Sequence, residues 1–307
     1  MTTALVTGAS GFVGSHLARR LLAEGVEVHV LSRPSSDFWR LPDVLAQLLR
    51  HEVDLGDAAG LAALLGSIRP DHVFHLAGAT VVAGATGGPA ELIATNFLGS
   101  VNLISACQAA GCKSLVLTGD SFEYTPSRLP LDEASGCQPE SLHGITKLAA
   151  TLYAQAAARA GGSPIVVLRL FSTYGPYDHP RRLVPKVIAA ALAGTPIGLS
   201  RPEIARDWIY VDDVVDLYLA ASRRALELSG RVLNAGTGES GDLARIVDMI
   251  LRLTGSGAEK RWGQFSAPAH DDYPWIADMG ATFAALEWRP RVSLEQGLRK
   301  TIEAMRR

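Results

Sequence analysis

The sequence contains little cysteine and almost no net charge, and each shortage excludes a class of protein. Its three cysteines, Cys107, Cys112 and Cys137, are odd in number and lack the spacing of a metal or redox motif. We therefore expect reduced structural thiols and no metal site. The 29 Lys and Arg residues nearly balance the 31 Asp and Glu residues, for a formal net charge of −2. Because there is no basic run, we expect neither nucleic acid nor an anionic membrane surface as the main partner.

A targeting segment is also missing from the pattern. The N-terminus leads directly into a strand, with no basic stretch followed by an apolar stretch and a small-residue cleavage site. We expect no apolar run long enough to span a bilayer, and hence a cytoplasmic protein without a membrane partner. The 307 residues, 48% of them hydrophobic, suffice for one large domain or two unequal lobes.

The most informative feature that is present is a glycine-rich turn at residues 7–14, with the sequence TGASGFVG. An apolar run precedes it and a helical pattern follows. This order is typical of a site that holds the pyrophosphate of a dinucleotide, with Gly8 for the tight turn, Gly11 for close approach and Gly14 for helix packing. The alternative is an ordinary turn. The candidate cofactor contacts here are Gly8, Ser10, Gly11, Phe12, Val13 and Gly14.

Alternating strand and helix patterns predict the fold class. Strands are expected at residues 26–31, 48–55, 71–77, 113–117 and 164–170, and helices at 57–68, 91–110, 146–160, 184–193, 211–224, 243–253 and 294–305. This is typical of an α/β protein with a Rossmann-type, doubly wound parallel sheet. We expect the sheet to end near residue 172, so that residues 1–172 form the dinucleotide-binding domain. Residues 173–307 would form mainly a smaller C-terminal substrate-binding lobe, with elements that can cross back into the first domain.

Further segments follow the glycine turn in a recognisable order. They are His75-Leu76-Ala77-Gly78, Asn96, Glu123-Tyr124, Lys147, residues 170–176 (LFSTYGP) and residues 206–213 (RDWIYVDD). In this order they resemble the extended short-chain dehydrogenase/reductase family, the NAD-dependent epimerases and dehydratases of nucleotide sugars, over nearly the whole chain. The resemblance implies an enzyme that moves hydride between a nicotinamide cofactor and a nucleotide-diphosphate sugar. It also implies a homodimer that pairs through the helices at 91–110 and 146–160.

The chain departs from this family at the expected reaction centre. Family members carry a Ser or Thr, a Tyr, and a Lys four residues after the Tyr, and Lys147 fits the last of these. His143 stands where the tyrosine belongs, and Asp120 stands where the Ser or Thr belongs. Thr118 and Ser121 are close enough for a shifted alignment to restore a hydroxyl. The candidate catalytic residues are therefore His143, Lys147, Asp120 and Ser121.

A histidine can take over the chemistry of the missing phenol. The oxygen of a carbonyl under reduction gains negative charge, so it needs a nearby donor. An unperturbed imidazole titrates near ~6.5, and a carboxylate such as Asp120 would orient its ring. Lys147, one helical turn after His143, shares its face of the helix and would hold the nicotinamide ribose, as the resemblance implies. Two alternatives stay open: the substrate or Tyr124 supplies the proton, or the chain is a dinucleotide-binding regulator or scaffold without turnover.

The end of the second predicted strand bears on the choice of cofactor. An acid there would accept the ribose hydroxyls of NAD, but the chain has Ser32 and Arg33, which suit the 2′-phosphate of NADP. We therefore expect NADP, with NAD as second choice and Asp54 as another determinant near the adenine. With NADP, the family resemblance implies NADPH-dependent reduction of a nucleotide-linked 4-keto-6-deoxyhexose, and the alternative that it implies is a 4-epimerase or dehydratase that retains NAD. The resemblance places further cofactor contacts at Leu55, Leu76, Ala77, Gly78, Asn96, Thr118, Lys147, Phe171 and Ser172.

Candidate substrate contacts lie mainly in the C-terminal half. Arg206 could grip a diphosphate through two donors, and Arg182 could reach the same anion or form a solvated rim. Tyr273 or Trp275 could stack on a nucleobase or pack between the lobes, whereas Arg169 is expected to be structural. The remaining predicted substrate contacts are Thr80, Tyr124, Ser172 and Leu183.

Overall fold

A parallel β-sheet forms the centre of the molecule. The computed structural model describes residues 2–79, 88–266 and 269–306. The strands are β1 (Thr3–Thr7), β2 (Glu27–Ser32), β3 (Leu49–Glu52), β4 (His72–His75), β5 (Ser114–Asp120), β6 (Ile165–Leu170), β7 (Ser172–Tyr174), β8 (Ile197–Gly198), β9 (Ala205–Tyr210), β10 (Val232–Ala235), β11 (Ser240–Asp242) and β12 (Lys260–Arg261). Among the described residues, the main sheet has seven strands in the order β10-β6-β5-β4-β1-β2-β3, and all neighbours are parallel.

Helices cover both faces of this sheet. They are α1 (Phe12–Ala23), α2 (Ala58–Ile68), α3 (Pro89–Leu92), α4 (Gly99–Ala110), α5 (Leu142–Ala160), α6 (Leu183–Ala193), α7 (Val211–Arg223), α8 (Leu243–Thr254), α9 (Gly280–Ala285) and α10 (Leu294–Met305). Ala4 and Val6 of β1 face the core formed with α1 and α7, while Leu5 faces the core formed with α2, α4 and α5. The strands are therefore apolar on both sides, and the predicted Rossmann-type parallel sheet is confirmed.

The strand order places the ligand crevice. The chain runs outward from β1 through β2 to β3, then returns to the other side of β1 with β4, β5 and β6. A crevice opens where the order reverses, at the carboxyl ends of β1 and β4. The glycine turn follows β1, Asp120 ends β5 and His143 lies in the first turn of α5, so the fold brings both predicted sites to one edge of the sheet.

The sequence pattern predicted that the sheet ends near residue 172, and this prediction is wrong. Strand β10 pairs in parallel with β6, with Leu233 opposite Leu168, and covers what would otherwise be an open edge. Both leucines are fully buried in the same core. The rest of the C-terminal segment builds a three-stranded sheet, β11-β9-β7, and a third core shared by α6, α8 and α10. A boundary near residue 172 stays a prediction.

The helix before β5 differs from its prediction in two ways. A π-helical turn, Ile93–Leu98, joins α3 to α4, and within it Asn96 is almost fully buried. By length and composition alone, the combined helix Pro89–Ala110 could cross a membrane, contrary to the prediction that no run is long enough. Nearly half of it is buried inside the protein, where it packs against α2 and α5.

The cysteines are unpaired. Cys107 and Cys112 are buried and Cys137 is half-buried, and none forms a disulfide. Across the described ranges, no group of three or more His, Cys, Asp or Glu side chains could hold a metal ion.

Candidate active site

The glycine turn has a backbone shape that larger residues would block. Gly8 has a φ of +73°, and a Cβ there would lie 2.5 Å from the backbone nitrogen of Ala77. A Cβ on Gly14 would lie 2.2 Å from the carbonyl oxygen of Gly8. Gly11 is less constrained, because its added Cβ would lie 3.1 Å from that same oxygen. The turn, α1 and the chain after β4 are therefore in direct backbone contact.

The N-terminus of α1 is free to receive an anion. Gly11 supplies no side-chain cap, and the first turn of the helix carries no acid. The backbone N–H groups of residues 12–14 have no partner within the helix and carry its partial positive charge. These features fit the pyrophosphate of a dinucleotide, and the predicted contacts Phe12, Val13 and Gly14 lie here.

A cleft of about 270 Å³ opens beside this turn along the ends of β1, β2 and β4. Ser36, Glu91 and Thr95 also line it but are absent from the predicted site. Glu91 and Thr95 are four residues apart in the helix before Asn96, so helical spacing was the signal that could have found them. The cleft brings together ten predicted cofactor residues: Gly8, Ser10, Gly11, Ser32, Arg33, Asp54, Leu55, Leu76, Ala77 and Gly78.

The residues predicted to choose the cofactor share one wall of this cleft. Arg33 is exposed, and its backbone N–H donates to Ser36 Oγ at 2.9 Å. Asp54 Oδ1 accepts the backbone N–H of Gly56 at 2.7 Å. The wall therefore offers a cation and a carboxylate to the same ligand.

A buried histidine holds the strand ends behind the cleft. His75 Nδ1 lies 2.7 Å from Thr7 Oγ1, and its Nε2 lies 2.9 Å from Ser100 Oγ. The Ser100 hydroxyl donates to the Asn96 carbonyl at 2.7 Å, so Ser100 accepts from His75 Nε2. Burial, assisted by the charge of Lys147, lowers the pKa of His75 to about 3. The ring is therefore neutral and structural.

Asn96 links the cleft to α5. Its Oδ1 accepts the backbone N–H of Ala79 at 2.7 Å, and its Nδ2 donates to Thr146 Oγ1 at 3.1 Å. Thr146 in turn donates to the carbonyl of His143 at 2.9 Å. Asn96, a predicted cofactor contact, thus uses its side chain to hold the cleft wall against the helix that carries the reaction centre.

Asp120, His143 and Lys147 meet at the carboxyl end of β5. His143 Nε2 lies 3.3 Å from Asp120 Oδ2, and these side chains are 17% and 27% exposed. Lys147 Nζ donates to the backbone carbonyl of Thr118. The other ring nitrogen of His143, Nδ1, is buried without a hydrogen-bond partner in the described part of the chain. Because the Asp120 carboxylate accepts from Nε2, the lone pair of the neutral ring lies on Nδ1, which is the nitrogen that can take up a proton.

The charges of this group support one another. Burial raises the pKa of Asp120, but the hydrogen bond and charge of His143, the backbone N–H of Phe122 and the charge of Lys147 together outweigh it, so the net shift is downward. Burial lowers the pKa of Lys147, against the opposing pull of Asp120 and Glu123. Asp120 is therefore a carboxylate at neutral pH and an acceptor for the imidazole.

Tyr124 is not placed to contact a substrate, and the predictions that gave it this role or that of proton donor are wrong. It is fully buried, and its hydroxyl donates to Asn234 Oδ1 at 2.7 Å. Burial also raises its pKa. The apolar surface of the ring is packed inside the first core.

In the described structure, no hydrogen bond joins the hydroxyl of Thr118 or of Ser121 to His143. Thr118 donates its hydroxyl to the carbonyl of His75 at 2.7 Å, so only its own carbonyl reaches the reaction centre, through Lys147. Ser121 is buried in the short 3₁₀ turn after β5. Among these residues, it is the Asp120 carboxylate that faces His143.

Arg206, the predicted diphosphate contact, is held by a neighbouring acid. Its guanidinium pairs with Asp271, and both side chains are largely buried. Burial lowers the pKa of Arg206, and Asp271 opposes that shift. An incoming phosphate would have to compete with Asp271, so the structure does not present Arg206 as a free anion site.

The other predicted substrate contacts are spread over the C-terminal lobe. Arg182 is half-exposed, 3.8 Å from Asp178, directly before Leu183 at the start of α6. Ser172 begins β7 after the buried cofactor candidate Phe171. In the described structure, no hydrogen bond or ion pair joins these residues to His143. Thr80 lies outside the described residues.

Trp275 is buried in the first core and is not available to a nucleobase. It is 3% exposed, its ring meets that of Phe122 edge-on with centroids 4.7 Å apart, and its indole N–H donates to the carbonyl of His270 at 2.9 Å. Tyr273 is half-buried beside the guanidinium of Arg128. The choice between stacking and packing is thus decided for Trp275.

Glu123 is absent from the predicted site but supports it directly. Its Oε1 accepts the backbone N–H of Asp120 at 2.9 Å, and its Oε2 accepts Nε–H of Arg169 at 2.8 Å. An Asp followed three residues later by Glu is the pattern of a capping box, so the sequence contained a signal for this contact. Arg169 is structural, as predicted.

Most of the chain matches one family model. Residues 4–236 match the model of the NAD dependent epimerase/dehydratase family. This span contains the glycine turn, the seven-stranded sheet except for Thr3, and Asp120, His143 and Lys147.

Similar proteins span the chain from end to end. It is 30% identical to the UDP-glucose 4-epimerase of Mycolicibacterium smegmatis over 98% of both chains. The crystal structure of Thermotoga maritima UDP-glucose 4-epimerase with UDP-glucose has a TM-score of 0.90 and 29% identity and covers 99% of both chains. The structure of Bacillus cereus UDP-glucuronic acid 4-epimerase in complex with UDP-glucuronic acid and NAD has a TM-score of 0.87 and 25% identity, again over 99% of both.

Proposed function

Because the chain belongs to the NAD-dependent epimerase/dehydratase family, we propose that it is a 4-epimerase of UDP-sugars that uses NAD. The observation that carries this proposal is the contact of His143 Nε2 with Asp120 Oδ2 beside Lys147, on the sheet edge that holds the dinucleotide cleft. Epimerisation through a keto intermediate requires a hydroxyl to lose a proton and regain it, which a carboxylate–imidazole pair can perform.

This proposal replaces two predictions from the sequence. Reduction of a 4-keto sugar gives way to the alternative, an epimerase or dehydratase that retains its cofactor, because the family model and the similar proteins are of that class. NADP gives way to NAD, because the family is NAD-dependent and the similar B. cereus enzyme was crystallised with NAD. Arg33 is then an exposed residue of the cleft wall that the cofactor does not require.

The cradle fits NAD on its own geometry. The space that a Cβ would fill at Gly8 and Gly14 is taken up by backbone contact, which packs the N-terminus of α1 against the turn whose Gly8, Ser10 and Gly11 line the cleft. Asp54 would accept hydroxyls of the adenosine ribose, and Lys147 would hold the nicotinamide ribose. When bound, NAD takes a hydride from the sugar carbon and returns it.

His143 and Asp120 exchange the hydroxyl proton as one unit. As hydride leaves the sugar carbon, the pair accepts the proton of the adjoining hydroxyl, and it returns that proton when hydride comes back. The proton joins the lone pair of Nδ1, and the charge of Asp120, which accepts from Nε2, stabilises the protonated ring. The two groups are close enough that any apparent pKa of the reaction belongs to the pair.

Lys147 supplies a fixed positive charge to the same centre. Its Nζ is anchored on the carbonyl of Thr118, so the cation cannot swing out toward solvent without breaking that bond. A cation held here favours the Asp120 carboxylate and an alkoxide that develops on the sugar.

We also propose that the chain forms a homodimer through its two adjacent helices. Ile93 and Leu98 are 42% and 48% exposed on the helix before β5, and Ile145 and Leu152 are 49% and 55% exposed on α5. These helices pack side by side, so the four apolar side chains lie on neighbouring elements. Pairing with a second copy would remove them from water. Analytical ultracentrifugation of the protein should give a mass of two chains, and the Leu152→Glu variant should have the mass of a single chain.

The activity is tested with purified protein and three separate substrates: UDP-glucose, UDP-galactose and UDP-glucuronic acid. Each is incubated with NAD, with NADP or without added cofactor, and the products are resolved by chromatography and proton NMR. We expect one sugar to be converted into its 4-epimer, with catalytic amounts of NAD and no net change in NADH. Oxidation of NADPH by a 4-keto sugar nucleotide without epimerisation would restore the reductase interpretation. Tight NAD binding with no product from any sugar would favour the regulator or scaffold.

A further inference from the structure

The turn that carries Asp120 is locked by a reciprocal pair of hydrogen bonds. Asp120 Oδ1 accepts the backbone N–H of Phe122 at 2.9 Å, and Glu123 Oε1 accepts the backbone N–H of Asp120 at 2.9 Å. The second oxygen of Asp120 is left to face His143. Rotation of the Asp120 carboxylate away from the imidazole would therefore break a bond in this box.

Glu123 is itself fixed by a cation from the neighbouring strand. Its Oε2 accepts Nε–H of Arg169 at 2.8 Å, and its side chain is fully buried while that of Arg169 is 4% exposed. The Arg169 guanidinium also lies over the ring of Tyr124, 4.3 Å from the centroid. A buried carboxylate with both oxygens occupied has one orientation available to it.

The pairing also separates the charges of the site. Arg169 neutralises Glu123, which leaves Asp120 to the two groups of α5, His143 and Lys147. We propose that Glu123, held by Arg169, is a positioning residue that keeps the Asp120 carboxylate against His143. This inference rests on the proposed function, because it gives Glu123 its role through the proton-exchanging pair.

Replacement of Glu123 by glutamine is the informative change. Glutamate uses one oxygen for Asp120 and the other for Arg169, whereas the amide of glutamine has a single acceptor oxygen. Glu123→Gln must therefore give up either the backbone of Asp120 or the guanidinium of Arg169. Asp213→Asn is a matched control, since Asp213 is a buried carboxylate whose two oxygens accept backbone N–H groups of Arg291 and Val292 at 2.9 and 3.1 Å.

The experiment measures kcat and KM for the UDP-sugar against pH in the NAD-loaded enzyme. Released from His143, Asp120 should titrate nearer its ordinary range, so the acidic limb of the kcat profile should move up by about half a unit to one unit. We expect kcat to fall about tenfold at neutral pH with KM nearly unchanged, and Asp213→Asn to leave both the limb and kcat in place. The other charged or titratable groups around this turn are His143, Lys147, Arg169, Tyr124, Cys137 and His270.

Two further variants cover the case in which Glu123→Gln does not fold and distinguish this proposal from the proposed function. Arg169→Lys retains the cation but loses the Nε donor, so it should shift the limb in the same direction and by less, and it serves if Glu123→Gln does not fold. An unchanged pH profile in whichever of these variants folds would overturn the positioning role. Asp120→Asn separates the two proposals. If it too leaves kcat and the profile intact, then the proton-exchanging pair fails, and not the support behind it alone.

Discussion

The dinucleotide cleft and the reaction centre lie on the same edge of one sheet, yet they are built in opposite ways. The cleft depends on backbone: a glycine at a φ of +73°, a second glycine against a carbonyl, and an uncapped helix N-terminus. The proposed reaction centre depends on side chains, the carboxylate of Asp120 and the imidazole of His143. A site formed by backbone atoms tolerates few substitutions, whereas a site formed by side chains can change its chemistry while the fold stays the same.

The largest effect is expected at the reaction centre. His143→Gln should lower kcat by about 100-fold or more while the Kd for NAD stays within a factor of two or so, because general acid–base catalysis is worth that much and the cleft is untouched. Steady-state kinetics and calorimetric titration with NAD provide the two numbers. A variant that keeps its activity would mean that another group moves the proton.

A change in the glycine turn should instead abolish the binding of NAD. Gly14→Ala places a Cβ 2.2 Å from the Gly8 oxygen, so it should cost about 3 kcal/mol of stability and abolish NAD binding. Gly66 of α2 is the matched helical glycine, since nothing lies within 4 Å of a Cβ added there. Gly66→Ala should stabilise the protein by up to about 1 kcal/mol without changing NAD affinity. Equal unfolding curves for the two alanine variants would contradict the cradle.

The comparison sharpens when His143 and Asp120 are replaced by the tyrosine and threonine that the family resemblance implies at these positions. His143→Tyr alone puts a phenol beside the Asp120 carboxylate, whose negative charge opposes loss of the phenol proton. Asp120→Thr together with His143→Tyr removes that charge, so we expect the double variant to exceed the single one about tenfold in kcat/KM. Additive losses in this cycle would show that the two residues do not act as a unit.

Asp178, a buried carboxylate outside both sites, contrasts with Asp120, because its pKa is raised whereas that of Asp120 beside His143 is lowered. Burial raises the pKa of Asp178 to about 6, despite Arg182, the backbone N–H of His179 and Arg40. A folded pKa above the unfolded value of about 3.9 means that this group costs stability as pH rises from about 4 to 6. Asp178→Asn should therefore be more stable than wild type by about 2 kcal/mol at pH 7.5 and similar to it at pH 4. Urea unfolding at both pH values measures the difference, and a gap that does not change with pH would rule out this assignment.

The smallest effect is expected at Tyr124. Tyr124→Phe loses one buried hydrogen bond to Asn234, which should cost about 1 kcal/mol of stability and leave kcat unchanged. Thermal unfolding and kinetics at saturating substrate test it. A large loss of kcat would return Tyr124 to the list of proton donors and weaken the role of His143.

Much of the fold was accessible from local patterns. The glycine turn, the alternation of apolar strands with helices, and the helix at Leu294–Met305 all follow from residues close together in the chain. Strand β10 was missed because a four-residue strand inserted beside β6 depends on a partner some 65 positions earlier, for which no local pattern exists. The spacing also could not predict that Arg206 forms an ion pair with Asp271 or that the hydroxyl of Tyr124 donates to Asn234.

By itself, the sequence determined the glycine turn and predicted Asp120 and His143 as candidate catalytic residues, because glycine requirements and motif spacing are local properties of the chain. Only the tertiary structure decided that Asp120 Oδ2 meets His143 Nε2, that Thr118 and Tyr124 face away, and that Glu123 and Arg169 hold the turn in place. The physical reason is that direction and burial of a side chain depend on groups distant in sequence. Packing brings those groups together, and hydrogen bonds then fix which atoms face each other.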